Sequence, residues 1–299
     1  MSIKEHPPQN SIHVPVLLES TLELLDPKKG ESFLDLTAGY GGHASRILDL
    51  TGNYAESVLV DRDDNAIKCL ESLSGKGVRL MHTDFVSAAR QLTDEGHKFD
   101  MILVDLGVSS PQLDQKQRGF SFTNSGPLDM RMDRRQVRTA EMLVNTASAE
   151  EIAHIISEYG EEPARISRTI AKAIVANRPL SKTNELADLI KQNYRGKWKK
   201  IHPATRTFQA LRIAVNEELR QIEDLLPYLL DLLETGGRVG IISFHSLEDR
   251  LVKRFLKEQF EAGYEAELRP LTKRPILGSQ NDVYNPRARS SKLRVAVKK

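Results

Sequence analysis

Sulfur chemistry is almost missing from this chain: Cys69 is its single cysteine. That excludes an internal disulfide and a cysteine zinc cluster, and it points to a reducing, cytoplasmic setting. Cys69 itself falls on the apolar side of an expected helix and reads as a small core residue. Aromatic residues are scarce at 6%, and Trp198 is the only tryptophan. No apolar run approaches the roughly 20 residues that cross a bilayer, so no membrane partner is expected. The opening MSIKEHPPQNS has no apolar stretch, which argues against a secretory signal, and residues 1–11 read as polar and disordered. No His/Asp/Glu spacing argues for a metal.

What is present is segregated charge. The net charge of +2 conceals alternating blocks. Residues 1–112 hold 10 Lys/Arg against 17 Asp/Glu, whereas residues 113–212 hold 18 against 11. Residues 213–268 hold 6 against 12, and residues 269–299 hold 9 against 1. Basic blocks of this kind suit a polyanionic partner.

The first acidic block carries a glycine loop, SFLDLTAGYGGH over residues 32–43. Residues 32–36 read as a buried parallel strand. Gly39, Gly41 and Gly42 follow at once, giving a tight strand-to-helix turn whose backbone N–H groups can face a ligand. Gly39-x-Gly41-x-x-Ala44 also satisfies a dinucleotide fingerprint, which is weak evidence alone. Three more expected strands follow, at 57–60, 78–81 and 99–104. Acids stand at or just after all four ends: Asp35, Asp61, Asp84 and Asp105. Asp61 lies 22 residues after Gly39, near the spacing of an acid that accepts ribose hydroxyls. Phe85 serves either as a purine-stacking ring or as core. A carboxylate rim repels a pyrophosphate and favours a cationic ligand, so the sulfonium donor S-adenosylmethionine is preferred over NAD.

Several strings are far more specific. FLDLTAGYGGH (33–43), DLGVSSPQLD (105–114), RGFSF (118–122), GPLDMRM (126–132) and SFHSLEDR (243–250) resemble the bacterial RsmH (MraW) family. The resemblance runs from His13 to Arg294. It implies an S-adenosylmethionine-dependent methyltransferase acting on the exocyclic amino nitrogen of a cytidine in the decoding region of 16S rRNA, within the small ribosomal subunit. It also implies cofactor contacts at Gly41, Gly42, His43, Asp61, Phe85, Asp105 and Gln112, to which the strand-end reading adds Asp35. Asp105 is in addition the candidate catalytic acceptor of the amino hydrogens, because an acceptor there lets the nitrogen pyramidalise. Other substrates (DNA, another RNA), a dehydrogenase and a non-catalytic RNA-binding assembly factor are the competing readings.

The expected fold is α/β: a Rossmann-like methyltransferase sheet over residues 1–112 and 213–299, with an all-helical insertion at 113–212 that recognises RNA. The insertion opens on an Arg- and Gly-rich loop. Ser148–Glu151 is a capping box, Pro163 starts a second helix, and Thr183 a third. A Lys/Arg-rich stretch at 195–206 surrounds Trp198, either a stacking ring or a packing anchor. The chain then returns through a helix that Pro227 interrupts and Gly236-Gly237 close, a fifth strand at 238–244, a helix capped by Ser246 and Asp249, and a last strand at 293–297. Candidate substrate contacts are His13, Phe120, Phe122 and Phe244 with His245 and Ser246 at the base. Arg118, Arg131, Arg134 and Arg135 are assigned to phosphates.

Overall fold

A computed structural model describes residues 15–197 and 202–299. The expectations for residues 1–11, His13 and Trp198 lie outside them.

The first half alternates helix and strand: α1 (Leu18–Leu25), β1 (Phe33–Asp35), α2 (Gly42–Thr51), β2 (Val58–Asp61), α3 (Asp64–Ser74), β3 (Arg79–His82), α4 (Phe85–Asp94) and β4 (Phe99–Asp105). A helical stretch follows: α5 (Ser110–Asp114), α6 (Ala140–Thr146), α7 (Ala149–Gly160), α8 (Ala164–Ala176), α9 (Thr183–Asn193) and α10 (Ala204–Asn216). The chain returns through α11 (Glu218–Leu225), α12 (Tyr228–Leu232), β5 (Leu233–Ser243), α13 (Ser246–Glu261), β6 (Leu268–Pro270), β7 (Ile276–Leu277), α14 (Gly278–Asn281) and β8 (Lys292–Lys298).

The sheet runs β3-β2-β1-β4-β5-β8-β6, with β7 on β8. Strands β1 to β5 are parallel, and β8 is antiparallel to β5. Strand order reverses between β1 and β4, and ligands of open α/β sheets bind beyond the carboxyl ends at such a reversal. One apolar cluster packs α4 and α11–α13 on one face; another packs α1–α3 on the other. Burial on both faces explains why VLV and MILV are continuously apolar and not alternating.

A third cluster belongs to the helical stretch and runs from Phe120 to Val215. It therefore passes residue 212, because α10 carries its apolar face on to Val215. The Ser148–Glu151 capping box forms. Three local expectations need correction. Gly236 and Gly237 do not end a helix: α12 stops at Leu232, and both lie where the β4–β5 register breaks between Phe99 and Met101. The cap of α13 is His245, whose ring accepts the Glu248 N–H, so the motif begins one residue early. Cys69 is exposed, because α3 turns Ala66, Leu70 and Leu73 inward.

The loop between α5 and α6 is folded tightly on itself. A Cβ on Gly126 would lie 1.8 Å from the Lys116 carbonyl oxygen, and one on Gly119 2.3 Å from that of Pro127. Backbone cannot yield as a side chain can. Gly126→Ala is expected to destabilise the protein by about 2–4 kcal/mol, seen as a lower urea midpoint. An unchanged midpoint would show that this loop is slack.

Candidate functional site

At the strand reversal lies a cavity of about 820 Å³. Its floor is the glycine loop. Gly41 has φ 79° as the N-cap of α2, a conformation that a side chain disfavours. Gly42 faces Pro15, and a Cβ there would sit 2.4 Å from the Pro15 Cγ. Two bonds pin the loop to β2: the Ala38 N–H donates to the Val60 carbonyl at 2.9 Å, and the Gly39 N–H to Asp61 Oδ2 at 2.8 Å. Asp61 Oδ1 accepts the Asp63 N–H at 2.8 Å. Burial pushes the Asp61 carboxyl up, and these N–H groups oppose the rise. Each oxygen keeps lone pairs for a second donor, so the acid can hold vicinal hydroxyls while shaping the loop.

Asp63, absent from the sequence reading, is a junction. Its Oδ1 caps α3 through the Asn65 N–H at 2.9 Å. Its Oδ2 accepts Gln112 Nε2 at 2.7 Å and Arg118 Nη1 at 2.5 Å. The capping part was legible in the D-x-N spacing; the pairing with Arg118, 55 positions on, was not. Arg118 is only 1% exposed, and its other donors reach the carbonyls of Arg131 and Met132. It therefore cannot meet a phosphate, since a buried guanidinium needs its carboxylate more than water does. Gln112 lines the cavity, but Nε2 is bonded to Asp63 and Oε1 to the Ser109 N–H.

Three of the four strand-end acids, Asp61, Asp84 and Asp105, line the cavity; Asp35 does not. Asp84 caps α4 through the Val86 and Ser87 N–H groups, which places Phe85 at the cavity wall with its ring largely buried. The lining is mixed, with six carboxylates and four arginines, so the rim is less uniformly acidic than expected. Asp35 sits beneath the loop, 2% exposed, holding the Thr37 N–H at 3.0 Å. Burial raises its carboxyl to about 7 against the Thr37 bond, with Asp61 adding to the rise. The folded value is above the unfolded 3.8, so the native state holds the extra proton and loses stability as pH climbs through about 7. Asp35→Asn is expected to remove about 2–3 kcal/mol of the stability lost between pH 5 and 8, at ~1.4 kcal/mol per unit. Parallel denaturation curves for both proteins at the two pH values would refute this.

Asp105 ends β4 facing the cavity. Its N–H donates to Thr37 Oγ1, and Oδ2 lies 3.7 Å from His43 Nδ1. His43 Nε2 hydrogen-bonds to the Val16 carbonyl at 3.1 Å, which turns Nδ1 toward Asp105. Asp105 Oδ1 is buried and makes no hydrogen bond among the described residues. Burial first, then the charges of Asp35 and Glu248, push this carboxyl well above its ordinary value. Buried acceptors are rarely left unmade; the side chain as a whole is 26% exposed and lines the cavity, so the carboxyl lies within reach of a ligand there.

Phe244 lines the same wall against Gly107, where an added Cβ would be 3.4 Å from its ring. His245 and Ser246 do not reach the cavity. His245 is spent on capping α13, and Ser246 Oγ donates to Glu161 of the helical stretch. Phe120 is buried in the helical core beside Arg118, and Phe122 packs on His202 and Phe208; neither lines the cavity. Arg131 is held by Asp129 through two bonds and by the carbonyls of Arg134 and Gln136, which removes it from phosphate duty. Arg135 pairs with Asp133 yet stays half-exposed; Arg134 is exposed. The sequence reading also missed Arg212, Glu218 and Glu248 in the wall. Arg212 binds Glu218 at 2.8 and 2.7 Å. Burial alone would push Glu248 up, but His245, Arg212 and the Phe244 N–H hold it lower than usual.

Glu218, His245 and Glu248 bring ligand-type atoms within 4.8 Å of one another. Of the three, Glu218 is paired with Arg212. His245 Nδ1 accepts the Glu248 N–H, and its Nε2 lies 3.2 Å from Glu248 Oε1.

A glycine loop, an acid at the end of β2 and a carboxyl at the end of β4 line one cavity beyond the carboxyl ends of β1 and β4, an arrangement that suits an adenosyl donor meeting a nucleophilic acceptor. The chain is thus a Rossmann-like S-adenosylmethionine-dependent methyltransferase. It belongs to the MraW methylase family, whose model matches residues 10–299. It is 47% identical to the ribosomal RNA small subunit methyltransferase H of Cyanothece sp., over 95% of this chain and 94% of that one. It is 45% identical to the protein of the same name from Synechocystis sp., over 100% and 97%. Among solved structures, a candidate rRNA methylase from Clostridium thermocellum is 11% identical over 96% of this chain and all of that one, with a TM-score of 0.47, too distant to argue from. Among the described residues no helix is long and apolar enough to cross a membrane.

Proposed function

We propose that this methyltransferase modifies the exocyclic N4 of a cytidine in the decoding region of 16S rRNA, in the cytoplasm, with the small ribosomal subunit as its substrate. The relatives' names supply the rRNA and the subunit. The choice of an amino nitrogen rests on one observation: the Asp105 carboxyl, which lines the cavity and whose Oδ1 has no hydrogen-bond partner among the described residues.

S-adenosylmethionine, when bound, supplies an electrophilic methyl group. The residues fitted to hold it are the glycine loop at Gly41 and Gly42, Asp61 for the ribose hydroxyls, and Phe85 beside the base; His43 and Gln112 act behind them. Asp105 accepts a hydrogen from the cytosine amino group, which localises the nitrogen lone pair toward the methyl carbon. Phe244, packed on Gly107 at the same wall, gives the flipped base a flat surface. Most of the rate comes from alignment.

The helical stretch grips RNA outside the cavity. Its exposed cations include Arg134, Arg138, Arg165, Arg168 and Lys172. The C-terminal tail contributes less than its charge suggests, because Lys292 and Arg294 are committed to Asp249 and Lys298 to the carbonyls of Leu230 and Leu233.

The test is nucleoside mass spectrometry of 16S rRNA after unmodified 30S subunits are incubated with enzyme and labelled donor. Label in N4-methylcytidine is the expected result. Label confined to another nucleoside would overturn the proposal, as would transfer to naked RNA or duplex DNA but not to 30S subunits.

A further inference from the structure

We propose that Arg118 is a positioning residue that couples binding of the methyl donor to binding of RNA; the proposal rests on the function just given. A line of hydrogen bonds joins the two regions, beside the separate contacts of Arg62 with Met132 and of Arg135 with His82. It starts at the Gly39 N–H, which donates to Asp61, and passes through the Asp63 N–H, also on Asp61. Arg118 Nη1 then donates to Asp63 Oδ2. Arg118 Nη2 donates to the Met132 and Arg131 carbonyls at 2.9 and 3.1 Å. Beyond it, Asn216 takes the Met132 N–H at 2.8 Å and donates to the Met130 carbonyl at 2.8 Å.

Each end of this line has a separate job. Asp61 and Asp63 line the donor cavity, and so does Met132. The segment that Met132 begins carries the exposed Arg134, Arg135 and Arg138. Arg135 also reaches back to the His82 carbonyl at the end of β3. Filling the cavity fixes Asp61 and Asp63; a buried guanidinium has to follow its carboxylate. The basic segment, hung on that guanidinium by two carbonyls, is then fixed too. By linkage, RNA held on the segment must tighten donor binding by the same factor. Arginine is required because one planar fork reaches a carboxylate and two carbonyls, which an ammonium does not.

The test measures the dissociation constant of S-adenosylhomocysteine with and without saturating unmodified 30S subunits, and that of 30S subunits with and without S-adenosylhomocysteine. The wild-type protein is expected to show the same tightening, about fivefold or more, in both directions. Arg118→Lys is expected to bring the factor to within twofold of unity and to make the KM for 30S subunits independent of donor concentration. Asn216→Ala loosens the far end of the line without unpairing a charge, and it is expected to lower the factor in the same way; it decides the matter if Arg118→Lys does not fold. A folded variant that keeps the wild-type factor would overturn the coupling. Wild-type binding of both ligands with no mutual effect would overturn the coupling and leave the proposed function standing. Failure to bind 30S subunits at all would overturn both.

Discussion

Asp105→Asn is expected to lower kcat about 10²- to 10⁴-fold, the range for loss of a positioned proton acceptor, while S-adenosylhomocysteine still binds. Asparagine keeps the size of the side chain and one carbonyl oxygen but cannot take up a proton. The pH profile carries the sharper signature. Burial, with Asp35 and Glu248 adding, holds the Asp105 carboxyl well above its ordinary value. The accepting form is the carboxylate, so wild-type kcat/KM should rise with pH through that raised value, and the Asn variant should lose this rise. Single-turnover rates across pH check both. A variant with near-wild-type kcat and an unchanged profile would show that a backbone carbonyl, not Asp105, receives the amino hydrogens.

Asp61→Ala is expected to weaken S-adenosylhomocysteine binding about 100-fold or more. A hydrogen bond to a charged group is worth about 1.5–3 kcal/mol, and tenfold in affinity is ~1.4 kcal/mol. Asp61 holds two backbone N–H groups of its own protein, so its removal slackens the glycine loop and Asp63 as well as any hydroxyl contact. Asp61→Asn should do no better, because its amide must turn an NH₂ toward one of those N–H donors. Recovery of affinity in Asp61→Asn by calorimetry would mean that the loop does not depend on this carboxylate.

The pattern of these residues divides by range. Asp61 and Asp105 are strand ends, and Gly39, Gly41, Gly42 and Phe85 lie in the short strand-to-helix turns or open the helices that follow. Their placement follows from a buried apolar strand and a glycine turn, both local signals. The helices from Ser148 to Asn193 were legible for the same reason, through caps and apolar spacing. Arginines and aromatics were misjudged. Arg118, Arg131, Phe120 and Phe122 sit in a loop whose composition suggests a basic, solvent-facing surface. The partners of Arg118 and Phe122, Asp63 and the α10 side chain Phe208, are supplied by chain folding over distances that no spacing rule encodes; Arg131 is instead taken by Asp129, only two residues away. Asp35 was misplaced because a strand end has two sides, and only packing decides which side the carboxyl takes.

The sequence by itself determined a parallel sheet, a glycine-floored site at its carboxyl edge and an inserted helical stretch, since hydrophobic period, capping and turn chemistry act within a few residues. Tertiary structure alone decided which charges are spent inside the protein and which are left for a ligand. A charge taken out of water must find its counterpart wherever the fold brings one, as Arg118 does with Asp63 and Arg212 with Glu218, and that choice is made by the whole chain at once.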